Sequence, residues 1–172
     1  MTLNNPHIID WAGSDQPRLS LRSITNADQT FLADLYAASR PDLDGLRGQG
    51  DVFNQLIAMQ QRVQLAGLLQ NFPDAQQLVI ESDQQPVGRL VVDWGDADVR
   101  VVDIAVAPNA KRSGVASAVL RAMQQVAATS NLQVSLAVAN SNAPAQALYR
   151  ALGFQLRQQD TLFDQLFWQP TP

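Results

Sequence analysis

The apolar positions of this chain change period along its length, and the changes divide it into strands and helices. Arg18 to Ile24 alternates, with Leu19, Leu21 and Ile24 set against Arg18, Ser20 and Arg22, which predicts a first strand whose end blurs where the alternation slips at Ser23. Thr25 or Asn26 then stands where a cap is needed for a helix carrying Phe31, Leu32, Leu35 and Tyr36. Pro41 to Gly50 holds three glycines and a proline and reads as a loop. Asp51 caps a long amphipathic helix whose apolar face is read as Val52, Leu56, Met59, Val63 and Ala66, with glutamines on the other side and Asn71-Phe72-Pro73-Asp74 at its end.

The second half is strand-rich. Leu78 to Glu81 and Pro86 to Val92 read as a pair joined across Ser82-Asp83-Gln84-Gln85, and Gly95 to Asp98 turns the chain into a central strand. In that strand Val101, Val102, Ile104 and Val106 are β-branched, and Pro108 ends it because proline cannot donate to a ladder. Val115, Val119, Ala122, Met123 and Val126 recur at helical spacing. Gln133 to Val138 is a fifth strand. Ser141 or Asn142 opens a further helix with Pro144 in its first turn, Gly153 ends it, and Phe154–Leu156 with Leu162–Trp168 form a closing pair. The periodicity by itself supports a mixed α/β fold.

Candidate chemistry lies between the central strand and the helix after it. Asn109-Ala110-Lys111-Arg112-Ser113-Gly114 leads into a helix N-terminus, where unpaired N–H groups and the positive end of the helix dipole suit a phosphate. Gly114 allows close approach of backbone to ligand, and Lys111 and Arg112 add positive charge. The Walker pattern G-x-x-x-x-G-K-S/T is absent. The stretch Val106-x-Pro108-x-x-Lys111-x-x-Gly114-x-Ala116 resembles the acetyl-CoA pyrophosphate loop of the GNAT superfamily of N-acetyltransferases, Q/R-x-x-G-x-G/A, with Lys111 where Gln or Arg is usual. Asn142-x-x-Ala145-x-x-Leu148-Tyr149-x-x-x-Gly153-Phe154 resembles that family's second CoA motif and follows the loop in the family's order.

The resemblance implies a single-domain GNAT fold of class α/β (α+β), a mixed and mostly antiparallel central sheet flanked by helices in the order β-α-α-β-β-β-α-β-α-β-β. The domain is expected over residues 18–170, behind a partly ordered leader of residues 1–17. It also implies acetyl-CoA as co-substrate. Backbone groups of Ile104, Ala105 and Val106 would pair with the pantetheine arm, Lys111, Arg112, Ser113, Gly114, Val115 and Ala116 would wrap the pyrophosphate, and Asn142 would touch the pantetheine. Tyr149 sits where the family's acid faces the thioester sulfur; its place in the stripe Ala145, Leu148, Tyr149, Leu152 equally suits a core tyrosine. Asp103 is a candidate base, or else the partner of Arg89 on the preceding strand. Relatives that acetylate protein N-termini carry an acid on the fifth strand where this chain has Ala137. Pro41 to Gly50 corresponds to the connection that borders the family's acceptor site, and Asp42 and Asp44 would draw an ammonium group to it.

Composition narrows the partners. A chain of 172 residues with 46% hydrophobic and 16% charged content can bury one core. A net charge of −4 with Lys111 as the only lysine gives no basic stripe for nucleic acid. With no cysteine and one histidine, His7, there is neither a thiolate nucleophile nor a ligand set for a metal. No apolar run reaches membrane-spanning length and Met1 to Pro17 lacks a signal-peptide core, so a cytoplasmic location is expected. The expected function is acetyl transfer from acetyl-CoA directly to a primary amine of a small molecule or peptide. A non-catalytic acyl-CoA-binding sensor on the same fold is the alternative, and a homodimer is compatible with either.

Overall fold

The computed structural model describes residues 19–170. The expectations for Arg18, His7 and the leader lie outside the described residues. A seven-stranded sheet runs in the order β1-β2-β3-β4-β5-β7-β6. Its strands are β1 (Leu19–Ser23), β2 (Gln76–Ser82), β3 (Gln85–Trp94), β4 (Asp98–Val106), β5 (Gln133–Ala139), β6 (Gln155–Gln159) and β7 (Phe163–Trp168). Among the described residues four α-helices accompany them: α1 (Gln29–Ala38), α2 (Asp51–Asn71), α3 (Val115–Thr129) and α4 (Ala143–Ala151). Neighbouring strands are antiparallel except β4 and β5, which are parallel because α3 carries the chain back across the sheet between them. This is the single mixed sheet expected from the sequence.

Strand alternation sorts the core. Leu90, Val92, Val99, Val101, Val134, Leu136 and Val138 pack with Val115, Val119, Leu120 and Met123 of α3, with Tyr149 on α4 and with Leu152 at its C-terminal end. Val79 and Val91, fully buried, alternate to the opposite face, where α1 crosses β3. On that face Arg22 bridges the sheet to the start of the helical layer, with Nη1 and Nη2 donating to Oδ2 and Oδ1 of Asp28 at 2.8 and 2.7 Å and Nε donating to Glu81 at 2.6 Å. The buried Asp28 also accepts from the Thr25 N–H and hydroxyl. The Arg22 guanidinium and the Thr25 N–H hold its carboxyl far below the usual range.

Three expectations need correction. The face of α2 read as apolar points outward: Val52, Met59 and Val63 are 62%, 56% and 67% exposed, and Ala66 is exposed. The helix instead buries Phe53 and Ile57 against Ala37 in a small cluster completed by Tyr36, Leu43 and Leu46. Two apolar stripes interleave along α2, and contact with α1 selects the one carrying the aromatic ring. On α3, Val126 is 41% exposed and Ala127 takes its place in the core. Pro41–Gln49 coils as consecutive 3₁₀ turns rather than an irregular loop, with Leu43 and Leu46 drawn against the cluster.

Candidate active site

β4 and β5 pair only where Asp98–Val101 faces Gln133–Leu136. Beyond that, β4 continues along β3 to Val106 while β5 continues along β7 to Ala139. The two strands therefore part, and each presents an edge of backbone N–H and C=O groups with no strand beside it. A bulge contributes to the divergence. Val91 faces Asp103 and Val92 faces Val101, so Val102 is an extra residue that bends β4 at the point of parting. The resulting cleft, of about 140 Å³, is lined by Val101 to Ile104, Leu136 to Ala139, Asn142 and Tyr149. Ile104 and Val106 turn their side chains to the core. The backbone of Ile104, Ala105 and Val106 lies along β4 past its last pairing with β5, at Val101.

At the end of β4 a short 3₁₀ turn, Pro108–Ala110, leads into the loop before α3. Gly114 adopts φ +85°, a conformation strained for any residue with a Cβ, and no atom lies within 4 Å of where that Cβ would be. The first helical hydrogen bond of α3 runs from the Ala118 N–H to the Gly114 carbonyl. The N–H groups of Val115, Ala116 and Ser117 precede it and face open space without an intrahelical partner, an arrangement whose chemistry suits an anion. The Ser113 hydroxyl donates to the Ala110 carbonyl at 2.6 Å and closes the loop on itself. Lys111 and Arg112 are exposed and make no ion pair among the described residues.

Tyr149 and Asp103 reach the cleft from opposite faces of the sheet. Tyr149, on α4, is 7% exposed, and its ring meets Phe154 edge-on at 5.8 Å between centroids. Its hydroxyl makes no hydrogen bond among the described residues. Burial, and then the negative charge of Asp103, push the phenol above its ordinary value, so it is a neutral donor at pH 7. Asp103 stands across from Val91 and shares its face. The pairing with Arg89 weighed from the sequence is present: Nε and Nη2 of Arg89 donate to Oδ2 of Asp103 at 3.2 and 2.7 Å. Asp103 nonetheless remains part of the cleft wall. Asn142 is the cap that opens α4, its Oδ1 accepting from the Ala145 N–H at 3.2 Å, and it too lines the cleft.

The acidic connection before α2 carries an ion pair of its own. Both oxygens of Asp42 accept from Arg40, at 2.9 and 2.6 Å, so its charge is already answered within the protein. The sequence reading also passed over Gly88. A Cβ there would stand 2.5 Å from the Ala105 carbonyl oxygen, so glycine is what lets β3 approach β4 beside the parting strands. An isolated glycine inside a strand pattern was the available signal.

The profile of the acetyltransferase (GNAT) family matches residues 33–154, well over half of the chain. This chain belongs to the GNAT acetyltransferase family. The match takes in the cleft, the loop before α3 and Tyr149, and it makes the protein an acyltransferase with acetyl-CoA as co-substrate. Solved structures share the GNAT fold. The PaiA N-acetyltransferase of Thermoplasma acidophilum in complex with coenzyme A superposes with a TM-score of 0.64 at 14% identity, over 88% of this chain and 99% of that one. An acetyltransferase from Thermus thermophilus gives 0.63 at 17%, over 88% and 97%. A GNAT acetyltransferase from Elizabethkingia anophelis with acetyl-CoA bound gives 0.53 at 14%, over 60% and 82%. No curated protein matches the chain. Among the described residues no helix is long and apolar enough to cross a membrane, and no three metal-ligating side chains gather.

Proposed function

We propose that this GNAT acetyltransferase, a domain of residues 18–170, passes the acetyl group of acetyl-CoA directly to a primary amine of a small molecule or peptide, with no covalent enzyme intermediate. The observation that carries the reading is the Tyr149 hydroxyl, open to the cleft and without a protein partner on an otherwise buried ring, on the wall of a cleft flanked by unpaired strand edges. A core tyrosine ordinarily has its hydroxyl satisfied within the protein. Here it is left for a ligand.

The remaining roles follow from position. Backbone groups of Ile104, Ala105 and Val106 extend the sheet onto the pantetheine arm, and the amide of Asn142 keeps its N–H donors for the same arm while its oxygen caps α4. The pyrophosphate rests on the loop Lys111 to Ala116. Asp103 accepts the proton that the attacking amine must lose. Tyr149 hydrogen-bonds the sulfur as the C–S bond breaks. An ordinary phenol near pKa 10 is already a weaker acid than a thiol near 8.5, and burial weakens Tyr149 further, so full proton transfer would be uphill by at least about 2 kcal/mol. The hydrogen bond strengthens as charge grows on sulfur, which stabilises the transition state more than the ground state.

The Arg89 contact on Asp103 is the one observation that favours the non-catalytic acyl-CoA-binding reading, since an ion-paired carboxylate can be purely structural. Thiol release from acetyl-CoA against a panel of primary amines decides between them: release that depends on the amine supports transfer, and binding of acetyl-CoA without release from any amine contradicts it. A homodimer would seat most readily on the outward stripe of α2, which sedimentation of the wild type against Met59→Glu would show. A cytoplasmic location accords with a substrate drawn from the metabolic pool.

A further inference from the structure

We propose that Arg89 is a positioning residue for acetyl transfer, holding Asp103 by one oxygen so that the other faces the acceptor amine; this rests on the transfer reading above. The protein supplies its own comparison. In the Arg22–Asp28 pair, Nη1 and Nη2 take separate oxygens, and in the Arg40–Asp42 pair Nε and Nη2 do the same, so both carboxylates are closed by their partners. Arg89 differs. Its Nε and Nη2 both converge on Oδ2 of Asp103, at 3.2 and 2.7 Å, and Oδ1 accepts no hydrogen bond among the described residues. Oδ1 is also not a buried orphan, the only such side-chain atom among the described residues being Asp164 Oδ1.

The anchor itself is rigid. Arg89 is 9% exposed, on a central strand between Leu90, fully buried, and Gly88, whose close approach to the Ala105 carbonyl fixes β3 against β4. Its cross-strand neighbour Val79 is fully buried as well. A guanidinium so placed has lost much of its water and is costly to leave unpaired. Holding Oδ2 therefore fixes the carboxylate plane, and the lone pairs of Oδ1 stay directed at the acceptor side of the cleft. In the reaction the nitrogen–carbon bond forms, the carbon–sulfur bond breaks, and the proton leaving nitrogen passes to Oδ1 and on to water, while the thiolate leaves against the Tyr149 hydroxyl. Arg89 touches no reacting atom. It acts through Asp103.

Hydroxylamine is a suitable probe because it is a neutral amine small enough for a cleft of about 140 Å³ whatever the natural acceptor, and its product is acetohydroxamate. Arg89→Gln should lower kcat by about tenfold or more with KM for acetyl-CoA unchanged, and Arg89→Lys, which restores the charge with a single point of contact, should recover part of it. Asp103→Asn placed on Arg89→Gln should add less than it costs alone, because both act through one oxygen. A merely structural pair predicts a lower melting temperature with kcat per folded molecule intact. If Arg89→Gln does not fold, Arg89→Lys decides, and a wild-type kcat in it overturns the assignment. Wild-type protein that makes no hydroxamate above the enzyme-free rate overturns the transfer reading and this one together. An active wild type, slowed by Asp103→Asn but not by the Arg89 variants, overturns the role of Arg89 alone.

Discussion

Replacing Gly88 with alanine tests whether the separation of β3 and β4 sets the shape of the cleft. The new methyl would lie 2.5 Å from the Ala105 carbonyl oxygen, 3.1 Å from Ile80 Cδ1 and 3.4 Å from Val106 Cα. Ile80 can yield by rotating its terminal methyl. Ala105 cannot, because the contact is backbone. Restoring an ordinary contact of 3.4 Å requires the strands to separate by about 0.9 Å at that point. Overpacking of this kind costs about 1–3 kcal/mol, which in a domain of this size lowers the melting temperature by roughly 2–12 °C. The displaced segment is Ala105–Val106, the backbone proposed to pair with pantetheine, so acetyl-CoA affinity should fall about tenfold, equivalent to about 1.4 kcal/mol. Thermal melts and calorimetric titration with acetyl-CoA on one preparation read both effects. Gly67→Ala is the control. It lies inside α2 with nothing within 4 Å, and it should stabilise by about 0.5–1 kcal/mol without touching binding. A Gly88→Ala protein with unaltered melting and affinity would refute the reasoning, and lower melting with unaltered affinity would detach the cleft from the strand spacing.

Two further outcomes are expected. Gly114→Asp forces a side chain into φ +85° and sets a negative charge in the open space before the first N–H groups of α3. CoA affinity should drop by more than about tenfold in calorimetry while the circular dichroism spectrum is kept. For Asp28, the folded carboxyl titrates below its unfolded value, so its stabilisation is complete above about pH 4 and is lost as pH falls through the acid range. Asp28→Asn should cost about 2–3 kcal/mol at pH 7, less than a fully buried pair because the Arg22 side chain is 30% exposed, and the variant should show a flatter loss of stability in denaturant titrations between pH 4 and 2.

The strands and the turn from β4 into α3 were legible because their signals are local. A β-branched run closed by Pro108 and a glycine before a helical stripe each determine their own backbone, and the order of elements follows. The face of α2 was not legible. Val52, Met59 and Val63 keep helical period as faithfully as Phe53 and Ile57, and only α1 decides which stripe is covered. Pro41–Gln49 misled in a similar way, since its glycines suggested an open loop while Leu43 and Leu46 anchor it as 3₁₀ turns. In the site, Asp103 and Arg89 were readable as neighbours across β3 and β4. That both N–H groups fall on one oxygen depends on side-chain geometry that no sequence pattern encodes. The lack of a partner for the Tyr149 hydroxyl is a fact of the same kind.

That hydroxyl offers the most direct test of the account. Tyr149→Phe keeps the ring, its edge contact with Phe154 and its packing beside Leu152, and it removes a group that makes no protein hydrogen bond. Single-turnover thiol release from bound acetyl-CoA, with an amine acceptor in excess, measures the bond-breaking step apart from binding. The account predicts a rate roughly 10- to 1000-fold below wild type, with acetyl-CoA affinity and melting temperature unchanged. A wild-type rate accompanied by a lower melting temperature would contradict it, and would return Tyr149 to the core as a packing residue.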